Sequence, residues 1–75
     1  MWHDVKIDLP PVAPGWRIVS ADVIVRVPGK KIGLAGAEVE TMAYFDTQRD
    51  EWHVCGKNNR LYKLPWDAVS VWRET

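Results

Sequence analysis

This chain has almost no cysteine: Cys55 is the single one among 75 residues, so no intramolecular disulfide can form. Small secreted domains usually carry several bridges, and this chain does not read as one of them. The N-terminus has no basic segment leading into an apolar core, which predicts no signal peptide. No apolar run approaches the roughly 20 residues of a membrane span. Net charge is also missing, because ten basic residues balance ten acidic ones. Strong non-specific affinity for nucleic acid comes from counterion release, and a neutral chain argues against it. Neutrality also weakens the repulsion that keeps copies apart. The expected location is the cytoplasm.

Aromatic rings are abundant. Five tryptophans, two tyrosines and one phenylalanine suit a chain that buries only about 60–65% of its unfolded surface. Each ring can remove about 150–250 Å² from water, so the rings are read first as core. Trp2, Trp16 and Trp66, near the terminus and the bends, are the ones expected to stay partly exposed.

Period-2 alternation dominates the chain and predicts strands. Val5, Ile7 and Leu9 alternate in an N-terminal arm or edge strand, and Pro10, Pro11, Pro14 and Gly15 then form a connector. Arg17 to Val27 is the strongest strand, with Val23, Val25 and Val27 on one face and Ile24 on the other; Pro28-Gly29 ends it. Lys30 to Gly36 is a loop with Ile32 and Leu34 turned back onto the sheet. Ala37 to Phe45 reads as a strand with Val39, Thr41, Ala43 and Phe45 on one face. A helix over Ala37 to Met42 competes, since Ala, Glu and Met favour helices. Asp46 to Asp50 turns into Glu51–Cys55, with Trp52 and Val54 sharing a face. Gly56 to Arg60 turns again, Leu61 to Leu64 is extended, Pro65-Trp66-Asp67 bends, and Ala68 to Arg73 closes the chain. The fold class expected is all-β or β-rich α+β: one domain, a small antiparallel meander of three to five strands with an N-terminal extended arm.

No catalytic pattern is legible. His53 and Cys55 share a strand face at i and i+2, but no C-x-x-C or H-x-x-x-H pair completes a zinc set. His53 could approach Cys55 as a base, but no carboxylate is clearly placed to orient it, and no nucleophile elbow, Walker loop or dinucleotide glycine pattern occurs. No enzymatic activity, metal or cofactor is expected. Lys30, Lys31, Lys57, Arg60 and Lys63 would form a cationic patch if two loops converged, with Tyr62 and Trp66 as stacking rings for single-stranded nucleic acid. Asp46, Asp50 and Glu51, with Glu38 and Glu40, make an acidic surface. Exposed aromatic residues usually mark contact surfaces, and tryptophan is enriched among binding hot spots.

The order of motifs resembles a short bacterial and prophage-associated domain family of unknown function. The opening is Trp2-His3-Asp4-Val5-Lys6-Ile7-Asp8-Leu9-Pro10, followed by the strand Val23-Ile24-Val25. The hairpin runs from Ala43-Tyr44-Phe45-Asp46 through Glu51-Trp52, and the close is Ala68-Val69-Ser70-Val71-Trp72. The chain departs from the family in a longer Pro28–Gly36 loop, in Val71 at the place of a histidine, and in Arg73-Glu74-Thr75 at the place of a proline-rich ending. The resemblance implies a small β-rich fold and a phage or prophage setting, where accessory proteins often bind a host protein and inhibit it, as anti-CRISPR factors do.

The sequence therefore leads to one expectation and one alternative. The expectation is protein–protein contact, with a host protein or a second copy of the chain, through Trp2, Trp16, Trp66, Asp46, Asp50 and Glu51. The alternative is nucleic-acid binding through Lys30, Lys31, Lys57, Arg60 and Lys63. No membrane partner is expected.

Overall fold

A computed structural model describes residues 1–75 as an all-β domain. Its strands are β1 (His3–Asp4), β2 (Val23–Val27), β3 (Val39–Asp46), β4 (Glu51–Cys55), β5 (Leu61–Pro65) and β6 (Val71–Glu74). Single 3₁₀ turns cover Gly29–Ile32, Lys57–Asn59 and Trp66–Ala68. No helix is long and apolar enough to cross a membrane. All neighbouring strands pair antiparallel, in the order β1-β6-β2-β3-β4-β5.

The expected meander therefore holds from β2 to β5, but β6 departs from it by returning to the far side of β2. In a flat sheet, β5 and β6 would lie about 19 Å apart, at about 4.8 Å per strand step. Residues 66–70 include a 3₁₀ turn of roughly 2 Å rise per residue, so they span only about 16 Å with extended flanks. The sheet must curl, and the connector shows where it does. Trp66 N–H donates to the Asp50 carbonyl (3.0 Å) and Ser70 N–H to the Arg26 carbonyl (3.3 Å). Val69, between those two anchors, is fully buried.

Curling makes one face the core. Val23, Val25 and Val27 meet Ala43, Phe45, Trp52, Val54 and Trp72 on the concave side, with Ile32, Val5 and Val69 closing it from the turns. Every face assignment made from alternation in β2, β3 and β4 holds. The helical reading of Ala37 to Met42 fails because Val39 to Met42 pair with β2, the strand beginning at Val39. Trp52 is the centre of the core: its ring is tilted against Phe45 at 4.9 Å between centroids, and its indole N–H donates to the Trp66 carbonyl at 3.0 Å.

Two sequence expectations need correction. The alternation of Val5, Ile7 and Leu9 does not form a strand beyond Asp4. The Asp4 carbonyl accepts from the amides of Ile7 and Asp8, the chain turns, and Ile7 is left 86% exposed. The long strand from Arg17 to Val27 is broken before Val23. Its first part folds back on Val12 to make a small hairpin, joined by the Val12–Ser20 bridge, and it also bridges Asp46 through Val19. Gly15, with φ of 84°, supplies the left-handed residue that this tip requires.

Candidate functional site

The 12–20 hairpin positions the most exposed tryptophan. Ala13 N–H donates to the Val19 carbonyl and Trp16 N–H to the Ala13 carbonyl, both at 3.0 Å. The returning arm is stitched to β3: Ser20 N–H donates to the Phe45 carbonyl, and Phe45 N–H donates to Ser20 Oγ at 2.9 Å. Thr47 binds the Ile18 carbonyl through both its amide (2.7 Å) and its hydroxyl (2.8 Å). With the arm fixed, Trp16 stands 66% exposed over a solvent-open groove of about 420 Å³. Trp16, Val19, Ala21 and Tyr44 give the groove its apolar walls, and Asp22 is its one charged lining residue. The Tyr44 ring is held by stacking on His53, with centroids 4.7 Å apart and planes 9° apart. Two rings beside a carboxylate suit a cationic side chain.

The other sequence-nominated contact residues are dispersed. Trp66 lies at the far end of β5, 37% exposed. Trp2 is engaged within the chain, its ring facing the Arg26 guanidinium at 4.4 Å and that of Arg73 at 5.2 Å. Asp46 does not stand on an open acidic surface. It is 5% exposed, because Val19 bridges it from the side and its Oδ1 accepts from the amides of Gln48 and Arg49, each at 3.0 Å. That is the short polar side chain of a turn satisfying its own backbone. Asp50, with φ of 52°, is exposed at the end of the same turn. Glu51 is half-buried opposite Asp46.

The basic loops meet in part. A β-carbon on Gly56 would lie 2.5 Å from the Ile32 carbonyl oxygen, and one on Gly33 would lie 3.1 Å from Lys57 Cβ, so the loops carrying Lys30, Lys31 and Lys57 touch. Arg60 follows at the turn's end, and Lys63 lies along β5 beside His53. Of the two rings expected beside these cations, one is at the junction of the loops and one is not. Tyr62 packs against Gly33 and Gly56, partly buried against the core, whereas Trp66 sits past the other end of β5, so the two rings do not act together among the lysines.

A second polar cluster, at the N-terminal arm, fastens β1 to β6. His3 Nδ1 lies 3.1 Å from Asp8 Oδ2, its Nε2 lies 3.2 Å from both Glu74 carboxylate oxygens, and its ring stacks on Trp72 at 4.2 Å. A hydrogen bond from the Glu74 backbone, followed by the His3 ring, holds the Glu74 carboxyl below its ordinary value. Trp72 N–H donates to the Asp8 carbonyl at 2.7 Å and completes the fastening.

Sequence reasoning singled out Trp16 and missed its partners, Tyr44 and Asp22. The Pro14-Gly15 turn was the available signal, since it places Trp16 at a hairpin tip. Comparison with family models, with curated proteins and with solved structures gives no match.

Proposed function

We propose that this domain works by protein–protein contact, with the groove between Trp16 and Tyr44 as its contact surface. The observation that carries the reading is Trp16 itself: a large ring left in water on a hairpin that six hydrogen bonds tie to itself, to β3 and to Thr47 just past β3. A rigidly held exposed ring loses little entropy when a partner covers it. The occupant that suits the groove is an extended segment of a partner protein, inserting a lysine or arginine between the rings beside Asp22. The resemblance to prophage-associated domains adds the setting, an accessory protein that engages a host protein in the bacterial cytoplasm, a defence complex being the natural target. Nucleic-acid binding through the Lys30–Lys31 and Lys57–Arg60 loops is the second reading. It draws on the contact between those loops, where Tyr62 packs, and it lacks net positive charge and a second ring beside Tyr62.

Two measurements test the first reading. Acetyl-arginine amide, titrated into ¹⁵N-labelled protein, should move the Trp16 indole resonance, and Asp22→Asn should abolish the movement; the leucine analogue should leave it in place. Immobilised wild-type domain should then retain a stoichiometric protein from bacterial lysate that Trp16→Ala does not retain. A partner held equally well by Trp16→Ala overturns the groove as the contact surface. A domain that retains nothing and stays monomeric in light scattering overturns protein contact altogether.

A further inference from the structure

The turn that joins β3 to β4 sets Asp46 opposite Glu51 and Tyr44 opposite His53. Glu51 and His53, two residues apart on one strand, share a face, and directly opposed side chains lie within reach of one another. Ligand atoms of Asp46, Glu51 and His53 accordingly lie within 4.8 Å of each other. Two carboxylates directly opposed on neighbouring strands repel, and a cation between them would relieve the repulsion. Neither carboxylate is paired with a lysine or arginine.

The acceptors of this cluster are also left short of donors. Asp46 is more than nine-tenths buried, and both of its hydrogen bonds fall on Oδ1, leaving Oδ2 free. Glu51 Oε1 is fully buried with no hydrogen-bond partner, and 3.5 Å from it stands His53 Nε2. A buried carboxylate oxygen without a donor is unfavourable, and although the Glu51 side chain as a whole is 24% exposed, an orphan oxygen beside a second carboxylate and an imidazole marks a place for a positive charge. The Tyr44 ring, stacked on His53, fixes the imidazole plane, as the supporting shell of a metal ligand does.

We propose that Asp46, Glu51 and His53 form a binding site for a divalent transition-metal ion of the zinc type. One imidazole nitrogen and two carboxylate oxygens are ligands that zinc accepts at about 2.0–2.2 Å. The ion supplies the charge that the Asp46–Glu51 pair lacks and takes up the orphaned Glu51 oxygen. Three protein ligands leave at least one position for water or for a group brought by a partner. The ion also fastens β3 to β4 next to the turn, and Tyr44 links the site to the groove wall.

The test uses the whole chain after chelator treatment, titrated with zinc chloride by calorimetry and with cobalt chloride by visible absorption. One ion per chain should bind, and the melting temperature should rise with zinc. Glu51→Gln keeps the size of the side chain, His53→Phe keeps a ring to stack on Tyr44, and Asp46→Asn keeps Oδ1 as acceptor for the turn amides. Each should weaken binding by about tenfold or more, since losing even a group that only supports a ligand costs roughly 10–100-fold. His3→Ala should bind as the wild type does, because the His3–Asp8–Glu74 group belongs to β1 and β6. Circular dichroism establishes that each variant is folded. Failure of the wild type to bind one ion at millimolar zinc overturns the site, as does binding that survives Glu51→Gln with His53→Phe, or binding lost only with His3→Ala.

Discussion

Replacing tryptophan by phenylalanine at two positions, Trp52 and Trp16, separates core from surface with one chemical change. At Trp52 the side chain is fully buried, so the smaller ring leaves unfilled space. The missing part of the indole is roughly 40–50 Å² of buried surface, or about 1 kcal/mol at ~25 cal/mol per Å². The indole N–H also disappears, and the Trp66 carbonyl that accepted it at 3.0 Å loses its donor, which costs about 1–2 kcal/mol in a partly buried setting. The sum of about 2–3 kcal/mol is a large fraction of the ~4–11 kcal/mol expected for a domain of this length. At roughly 4–8 °C per kcal/mol, Trp52→Phe should melt about 10–20 °C below the wild type. Trp16→Phe, in the open, should stay within about 0.5 kcal/mol. Urea and thermal unfolding followed by far-ultraviolet circular dichroism measure both, and that probe does not depend on the residue being changed. An unchanged urea slope would place the loss in stability and not in the compactness of either state. A cost below about 1 kcal/mol at Trp52, or equal costs at the two sites, would refute the placement of Trp52 at the centre of the concave face.

Two further outcomes follow from the loops and the terminal strands. Gly56→Ala should destabilise by about 1–3 kcal/mol, the range for overpacking, because its β-carbon would lie 2.5 Å from the Ile32 carbonyl oxygen and 2.7 Å from Ile32 Cβ; chemical denaturation that leaves the midpoint unmoved would contradict the packing of those two loops. Glu74 has its carboxyl held below the ordinary value of 4.5, first by a backbone hydrogen bond and then by His3, so its ionised form favours the folded state. That contribution is present above the ordinary value and is lost as pH falls through the lowered one. The difference in melting temperature between wild type and Glu74→Gln should therefore shrink as pH falls below 4.5, whereas a difference that grows on acidification through that range would reverse the assignment.

Much of the fold was legible because alternation reports faces directly. Val23, Val25 and Val27, then Ala43 and Phe45, then Trp52 and Val54 were placed on common faces, and each of these residues is in the core. The same signal misled at Val5, Ile7 and Leu9. Alternation states what a strand would bury without showing that a neighbour exists to bury it, and past Asp4 the chain satisfies its amides in a turn of its own. The return of β6 to β2 was illegible for a related reason. It depends on the curl of the whole sheet, which no local window contains, although Val69 between two anchored ends is its physical trace.

The groove and the Asp46–Glu51–His53 cluster lie beyond alternation in a different way, because both depend on register. A turn of four residues between β3 and β4 sets Asp46 opposite Glu51; sliding the pair by one residue would send His53 to the core and Trp52 to the solvent. The full burial of Trp52 forbids that slip, so the core residue with the largest ring also fixes which polar side chains meet on the other face. The hairpin at Trp16 obeys the same logic at smaller scale. Ser20 bridges Val12 on one side, and on the other it donates its amide to the Phe45 carbonyl and accepts the Phe45 amide at its hydroxyl, which fixes against β3 the arm that follows Trp16. The proposed contact surface is thus set where packing fixes register, while Trp16 and Asp22, which would present it, stand outside the core cluster.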